Sequence, residues 1–217
     1  MAAIFVTGWA IESPAEDTIQ PAASPTPGVQ LEWLMDRLAS RPGMRVAFRE
    51  SRHLAVLSDP IHSEGLMFFS PPGDLARYTL RPVRSSVIVR GDRVFLEDAT
   101  GSQSFDLASS DVARGLVGIF GVLLRGDLAE LRRRYVLDFR GSGDSWALEL
   151  RPRSRTLQHI IERIEVKGRG AELTRMATFE ANGDRTVLVF EDAIPLSEVE
   201  GADRNRIFHP DFTGSLP

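Results

Sequence analysis

The sequence predicts an α+β fold: a strongly curved antiparallel β-sheet with helices covering its concave hydrophobic face. Three observations carry this. Short segments of alternating apolar and polar residues recur along the chain, which is the period of strands with one wet face. Turn chemistry separates them, including Pro71-Pro72-Gly73, Arg81-Pro82, Gly91-Asp92 and Asn182-Gly183. Two helical stretches, near residues 31–40 and 111–133, are apolar enough to need a sheet face beneath them.

The 217 residues include 26 basic and 30 acidic side chains, a formal net charge of −4, with 42% hydrophobic residues. That is the composition of one globular domain with an ample core. The acidic balance argues against a protein built to grip nucleic acid, which needs clustered positive charge. With no cysteine, disulfides, thiolate metal sites and thiol nucleophiles are excluded. No apolar run approaches the roughly 20 residues of a membrane span.

Residues 1–11 read as a truncated signal-peptide remnant, with small-x-small sites at Gly8-Trp9-Ala10 and Ser13-Pro14-Ala15. Because the first basic residue is Arg37, either the start lies upstream or the segment is a plain apolar terminus. Residues 12–28, with Pro14, Pro21, Pro25 and Pro27 among Ala, Ser and Thr, read as an extended linker. The folded domain is expected over 29–208, followed by a tail over 209–217.

Leu31, Leu34, Met35 and Leu38 fall at i, i+3, i+4 and i+7 and predict the first helix, stopped by Arg41-Pro42-Gly43. Strands are expected at Met44–Arg49, Leu66–Ser70, Leu75–Leu80, Ser86–Val89 and Arg93–Glu97. A second series follows at Tyr135–Arg140, Trp146–Leu150, His159–Lys167, Leu173–Glu180 and Thr186–Phe190. Between the series, Ser110 or Asp111 caps a helix running from Val112 to Leu124, and Gly126-Asp127 restarts a short helix through Arg134. The longer helix is apolar all round, yet Gly115, Gly118 and Gly121 weaken it by about 1 kcal/mol each relative to alanine. Such a helix is held only by what it packs on.

No catalytic constellation emerges: GxSxG, HExxH and phosphate-binding glycine loops are all missing from the sequence. Asp59, His62 and Glu64 match no metal-ligand spacing and fit a solvated hairpin. His159 reads as a polar neighbour at a strand start, and Glu191-Asp192 as surface charge. Arg132-Arg133-Arg134 either meets an anion or pairs with Asp127 and Glu130 one turn away. What remains is apolar surface. The expected inner wall is Phe48, Phe68, Tyr78, Leu80, Phe95, Trp146, Leu148, Ile160, Ile164 and Phe179, under a lid of Leu116, Ile119, Phe120 and Leu123. No metal and no cofactor is called for.

Phe48-Arg-Glu, the stretch Gly65–Leu75, Arg81-Pro82, Trp146–Pro152, Asn182–Thr186 and Arg206-Ile-Phe208 come in an order that, over about residues 30–208, resembles the LolA-like family of periplasmic outer-membrane lipoprotein carrier proteins. Phe48-Arg-Glu is similar to the family's F-x-Q/E. Gly65-Leu-Met-Phe-Phe-Ser-Pro-Pro-Gly-Asp-Leu75 resembles its G-x-L-x-F-x-x-P-x-x-L hairpin. Arg81-Pro82 with Val89-Arg-Gly-Asp92, Trp146-Ala-Leu-Glu-Leu-Arg-Pro152, Ile164-Glu-Val, Asn182-Gly-Asp-Arg-Thr186 and Arg206-Ile-Phe208 follow in the family's order. The resemblance implies an open half-barrel with a helical lid over a hydrophobic cavity. It implies a non-enzymatic monomer that takes a lipoprotein or other acylated lipid from an inner-membrane transporter and passes it to an outer-membrane receptor. One departure stands out. The family latches its lid with an arginine just before the hairpin proline, where this chain has Ser70-Pro71-Pro72, so the latch is absent or falls to Arg77 or Arg81. Another lipid cargo, a non-transporting lipid-sensing or scaffold module, and a lipid-acting enzyme are the competing readings.

Overall fold

The computed structural model describes residues 27–109, 118–142, 144–199 and 203–209. The chain opens with helix α1 (Pro27–Ala39). Six strands follow: β1 (Met44–His53), β2 (Ile61–Ser70), β3 (Asp74–Arg81), β4 (Ser85–Arg90), β5 (Arg93–Asp98) and β6 (Gly101–Asp106). Two short helices, α2 (Gly118–Leu124) and α3 (Leu128–Arg134), lead into β7 (Tyr135–Ser142) and β8 (Ser145–Pro152). A helical turn, α4 (Arg155–Gln158), precedes β9 (Ile161–Arg169), β10 (Glu172–Glu180) and β11 (Arg185–Pro195), and α5 (Arg204–Ile207) closes the described chain.

All the strands join one antiparallel sheet in the order β6-β5-β4-β3-β2-β1-β11-β10-β9-β8-β7. Each half is a meander of neighbouring hairpins, and the pairing of β1 with β11 welds the two halves together. The ends, β6 and β7, do not pair, so the sheet is open. The sequence reading missed β6. Its residues Gly-Ser-Gln-Ser-Phe-Asp show no apolar alternation, and the strand exists because β5 offers it a ladder from Arg93↔Asp106 to Asp98↔Gly101. The expected strand start at His159 is also displaced, since His159 caps α4 and β9 begins two residues later.

The period-two alternation sorts the side chains. On the inner face, α1 lays Leu31, Leu34, Met35 and Leu38 onto Phe48, Met67, Leu75, Trp146, Leu148, Ile164, Val166, Met176 and Leu188, all buried. Ile119, Val122 and Leu123 of α2 and Leu131 of α3 complete this core. On the outer face a smaller cluster joins Phe68, Ala76, Tyr78 and Ile88 to Ile207 and Phe208 at the C-terminal end. That strap is pinned by polar contacts as well: Tyr78 Oη donates to the Ile207 carbonyl at 2.6 Å, and Arg204 donates to the Pro71 carbonyl at 3.1 Å and to Asp74 at 3.0 Å. Burial, with help from the nearby charge of Glu97, pushes the Tyr78 phenol up to about 12.

The linkage between α2 and α3 is the tightest local device. The Asp127 amide bonds the Val122 carbonyl at 3.1 Å and the Gly126 amide bonds that of Leu123 at 3.0 Å. This paired C-terminal closure needs a left-handed residue between, which Gly126 supplies with φ +64°. Asp127 then caps α3 by accepting from the Glu130 amide at 3.0 Å. Any Cβ at Gly126 would fall 2.1 Å from the Met35 carbonyl oxygen, so the bend is seated directly on α1.

Candidate functional site

An apolar groove lies where α2 meets the middle of the sheet. It is lined by Leu38 of α1, Arg41 after it, Met44 and Val46 of β1, Met67 and Phe69 of β2, and Leu75 of β3. Leu173, Phe190 and Ala193 form the opposite wall, and Phe120 and Leu124 of α2 cover it. Phe120 is half-buried and stands edge-on to Phe190, with ring centroids 6.1 Å apart at 88°. Beside the groove β11 carries an extra residue: Arg45 pairs with Ile194 but Ala47 with Glu191. Asp192, at φ +51°, makes that bulge, a device that re-aims a strand next to a site. Arg41 holds the mouth, donating to the Ala171 carbonyl at 2.7 Å.

The enclosed volume is about 70 Å³. Pockets that swallow whole ligands run to about 300–1,000 Å³, and one water needs roughly 10–15 Å³. The groove in this conformation admits only the end of a hydrocarbon chain.

The structure divides the expected inner wall. Phe48, Trp146, Leu148 and Ile164 lie in the inner-face core, and Ile160 packs partly buried against it. Phe68, Tyr78, Leu80, Phe95 and Phe179 sit at the opposite parity of their strands and face outward. Phe68 and Tyr78 pack under the strap, with Phe95 against their edge, although the Phe68 backbone position still borders the groove. Leu80 is 39% exposed, and the Phe179 ring lies beneath the Arg163 guanidinium at 3.6 Å. Sequence reasoning missed Val46, Met67, Phe69, Leu75, Leu173 and Phe190. Only the pairing reveals them: Val46↔Met67, Met44↔Phe69, Phe69↔Leu75 and Phe48↔Phe190 put Val46, Met67, Phe69, Leu75 and Phe190 on the face of Phe48.

Of the expected lid residues, Ile119 and Leu123 are buried in the core and Phe120 covers the groove. Leu116, and the expected helix before Gly118, lie outside the described residues, as does the expected signal remnant. Among the described residues, both candidate latches find their partners on the sheet. Arg77 pairs with Glu50 at 3.0 Å and lies 4.5 Å over the Phe48 ring. Arg81 pairs with Glu64 at 3.0 Å on the exposed rim. The arginine that sits against both α2 and the hairpin is Arg125, whose Nη1 would touch a Cβ at Gly73 (2.7 Å) or at Gly121 (3.1 Å). The contact between α2 and the hairpin thus comes from the residue that follows α2.

The arginine cluster pairs on the helix surface. Arg133 binds Glu130 at 2.6 Å, Arg134 also bonds it, and Arg132 reaches Glu32 at 3.5 Å. The hydrogen bond from Arg133, opposed by burial and aided by Arg134, draws the Glu130 carboxyl down to about 2. His62 meets Ser51 Oγ at 3.0 Å, and among the described residues no group of metal-ligating side chains comes together. No helix among the described residues is long and apolar enough to cross a membrane.

Comparison with known proteins follows the same lines. A solved structure of a DUF1329 family protein from Desulfovibrio piger is 12% identical with a TM-score of 0.50, covering 84% of this chain and 96% of that one. A LolA superfamily protein from Nitrosomonas europaea is 12% identical with a TM-score of 0.43, covering 78% of this chain and 93% of that one. A putative outer membrane lipoprotein-sorting protein domain from Vibrio parahaemolyticus is 11% identical with a TM-score of 0.45, covering 84% and 97%. No curated protein matches the sequence. A family model described as outer membrane lipoprotein carrier protein LolA-like matches residues 22–205. With nearly the whole folded region matched and the open, helix-covered sheet that the motif order implied, the chain belongs to the LolA-like family.

Proposed function

We propose that this protein is a non-enzymatic carrier in the periplasm that binds the acyl chains of lipoproteins, or of another lipid, beneath α2 and shuttles them from inner to outer membrane. The single observation that carries this reading is the groove under Phe120 and Leu124: an apolar seat, covered by a short helix, beside the packed core. Burying a chain of about 16 carbons is worth roughly 12 kcal/mol gross at ~0.8 kcal/mol per methylene. A carrier that held all of that would not let go. Displacing α2 from its own apolar seat offsets part of the gain and returns it on release. The family membership supports an inner-membrane transporter as donor and an outer-membrane receptor as acceptor.

Native mass spectrometry of protein purified from a membrane-containing extract tests the binding, and a donor-to-acceptor vesicle assay tests transfer. Co-purified lipid with transfer supports the carrier; protein free of lipid in every preparation contradicts it. A lipid-sensing or scaffold module on the same fold is the second reading, favoured by the small volume of the closed groove. It predicts binding without transfer.

A further inference from the structure

The flank of α2 turned away from Phe120 borders a second cavity, of about 160 Å³, more than twice the room in the groove. Four glycines line it: Gly73 and Gly91 in the turns after β2 and β4, and Gly118 and Gly121 of α2. Arg125 and Arg134 line it too, with Asp92 as the one carboxylate among the lining residues. The guanidinium of Arg125 fills the slot left by Gly73 and Gly121, where a side chain would collide with it. Arg134 Nη1 stands 3.7 Å from where a Gly118 Cβ would be. Arg134 is partly offset by Glu130, and Arg125 takes part in no ion pair among the described residues. Leu75 lines both cavities, so one short helix separates an oily space from a cationic one.

We propose that this pocket holds the phosphate-bearing head group of the amphiphile whose tail enters the groove. The proposal rests on the carrier reading and adds a head-group class to it. Guanidinium groups offer a planar fork of donors that matches phosphate oxygens, and the glycine lining leaves the room a tetrahedral anion needs beside them. The arrangement assigns Arg125 two tasks: it braces α2 against the β2–β3 turn when the pocket is empty and pairs with the head group when it is full.

The test compares phosphatidic acid with diacylglycerol of the same fluorescent tails, in wild type, Arg125→Gln and Gly118→Leu, with inorganic phosphate as a third ligand. Wild type should prefer phosphatidic acid by about fivefold, the worth of one part-exposed charge pair. Arg125→Gln should abolish that preference, and because it also releases the brace on α2, diacylglycerol should bind at least as tightly as to wild type. Gly118→Leu, which gains helix propensity and meets no backbone, should fold and weaken phosphatidic acid binding alone. Equal affinities in wild type, or a preference that survives both substitutions, overturn the head-group assignment while the carrier reading stands. Binding of neither lipid overturns both. Inorganic phosphate that raises the melting temperature of wild type but not of Arg125→Gln, with no preference between the lipids, identifies a free-anion site and also overturns the head-group assignment.

Discussion

Replacing Phe120 with alanine separates the grip of α2 on its seat from the capacity of the groove. The Phe120 ring is half-buried and makes an edge-to-face contact with Phe190, a pairing worth about 0.5–1.5 kcal/mol beyond area. A wholly buried phenylalanine loses about 3–5 kcal/mol on truncation to alanine, so a half-buried one loses about 2. If binding requires α2 to lift, that stabilisation belongs to the closed state alone. Its removal raises the population competent to bind, while the bound chain forfeits about 1 kcal/mol of contact with the missing ring. The net gain of about 1 kcal/mol tightens apparent affinity roughly fivefold. Stopped-flow mixing with a fluorescent long-chain fatty acid measures it, and the association rate should rise most. A double cycle with Phe190→Ala should show the two substitutions to be non-additive. An association rate that is unchanged or lower, with weaker binding, refutes the argument that Phe120 holds the groove shut.

Three further outcomes follow from the packing. Gly126→Ala places a Cβ on the Met35 carbonyl at a left-handed position; denaturant unfolding should show a loss of more than about 2 kcal/mol, since αL alone costs about 1–2. Gly168→Ala drives a methyl to 2.3 Å from the Trp146 ring and 2.2 Å from the Glu172 carbonyl oxygen. It should displace the indole, lengthen its 2.9 Å bond to the Gly170 carbonyl and shift its fluorescence to the red. Glu130, ordinarily near 4.5 and here about 2, is lowered by folding. Its contribution is therefore present above pH 4.5 and is lost as pH falls toward 2. Thermal melts should show that loss, worth under about 1 kcal/mol for an exposed pair, and Glu130→Gln should remove it.

The elements were legible where one face alone is apolar. Met44, Val46 and Phe48 alternate with Arg45, Ala47 and Arg49, and α1 carries its stripe in plain view. Legibility failed where both faces are covered. The run Leu66-Met-Phe-Phe69 is apolar throughout because Met67 and Phe69 face the helices while Phe68 meets the C-terminal strap. Nothing within the run says which parity is which, and Phe208 lies 140 residues further along the chain. Phe68, Tyr78 and Phe95, expected on the inner wall, thus lie on the outer face. The groove itself was half-visible. Phe120 stands out in the glycine-weakened helix, whereas Phe190 enters only through the pairing of β1 with β11 and Leu173 through that of β10 with β9. The strand β6 was invisible because its ladder, rather than its composition, makes it a strand.

Photolabelling puts the acyl site to its most direct trial. A palmitate with a diazirine near its methyl end, irradiated on the protein and mapped by peptide sequencing, should mark Val46, Met67, Phe120, Leu124, Leu173 or Phe190, and excess unlabelled palmitate should suppress the marks. Labels confined to the outer face around Phe68 and Phe208, or labels that never saturate, would contradict an acyl-binding groove beneath α2.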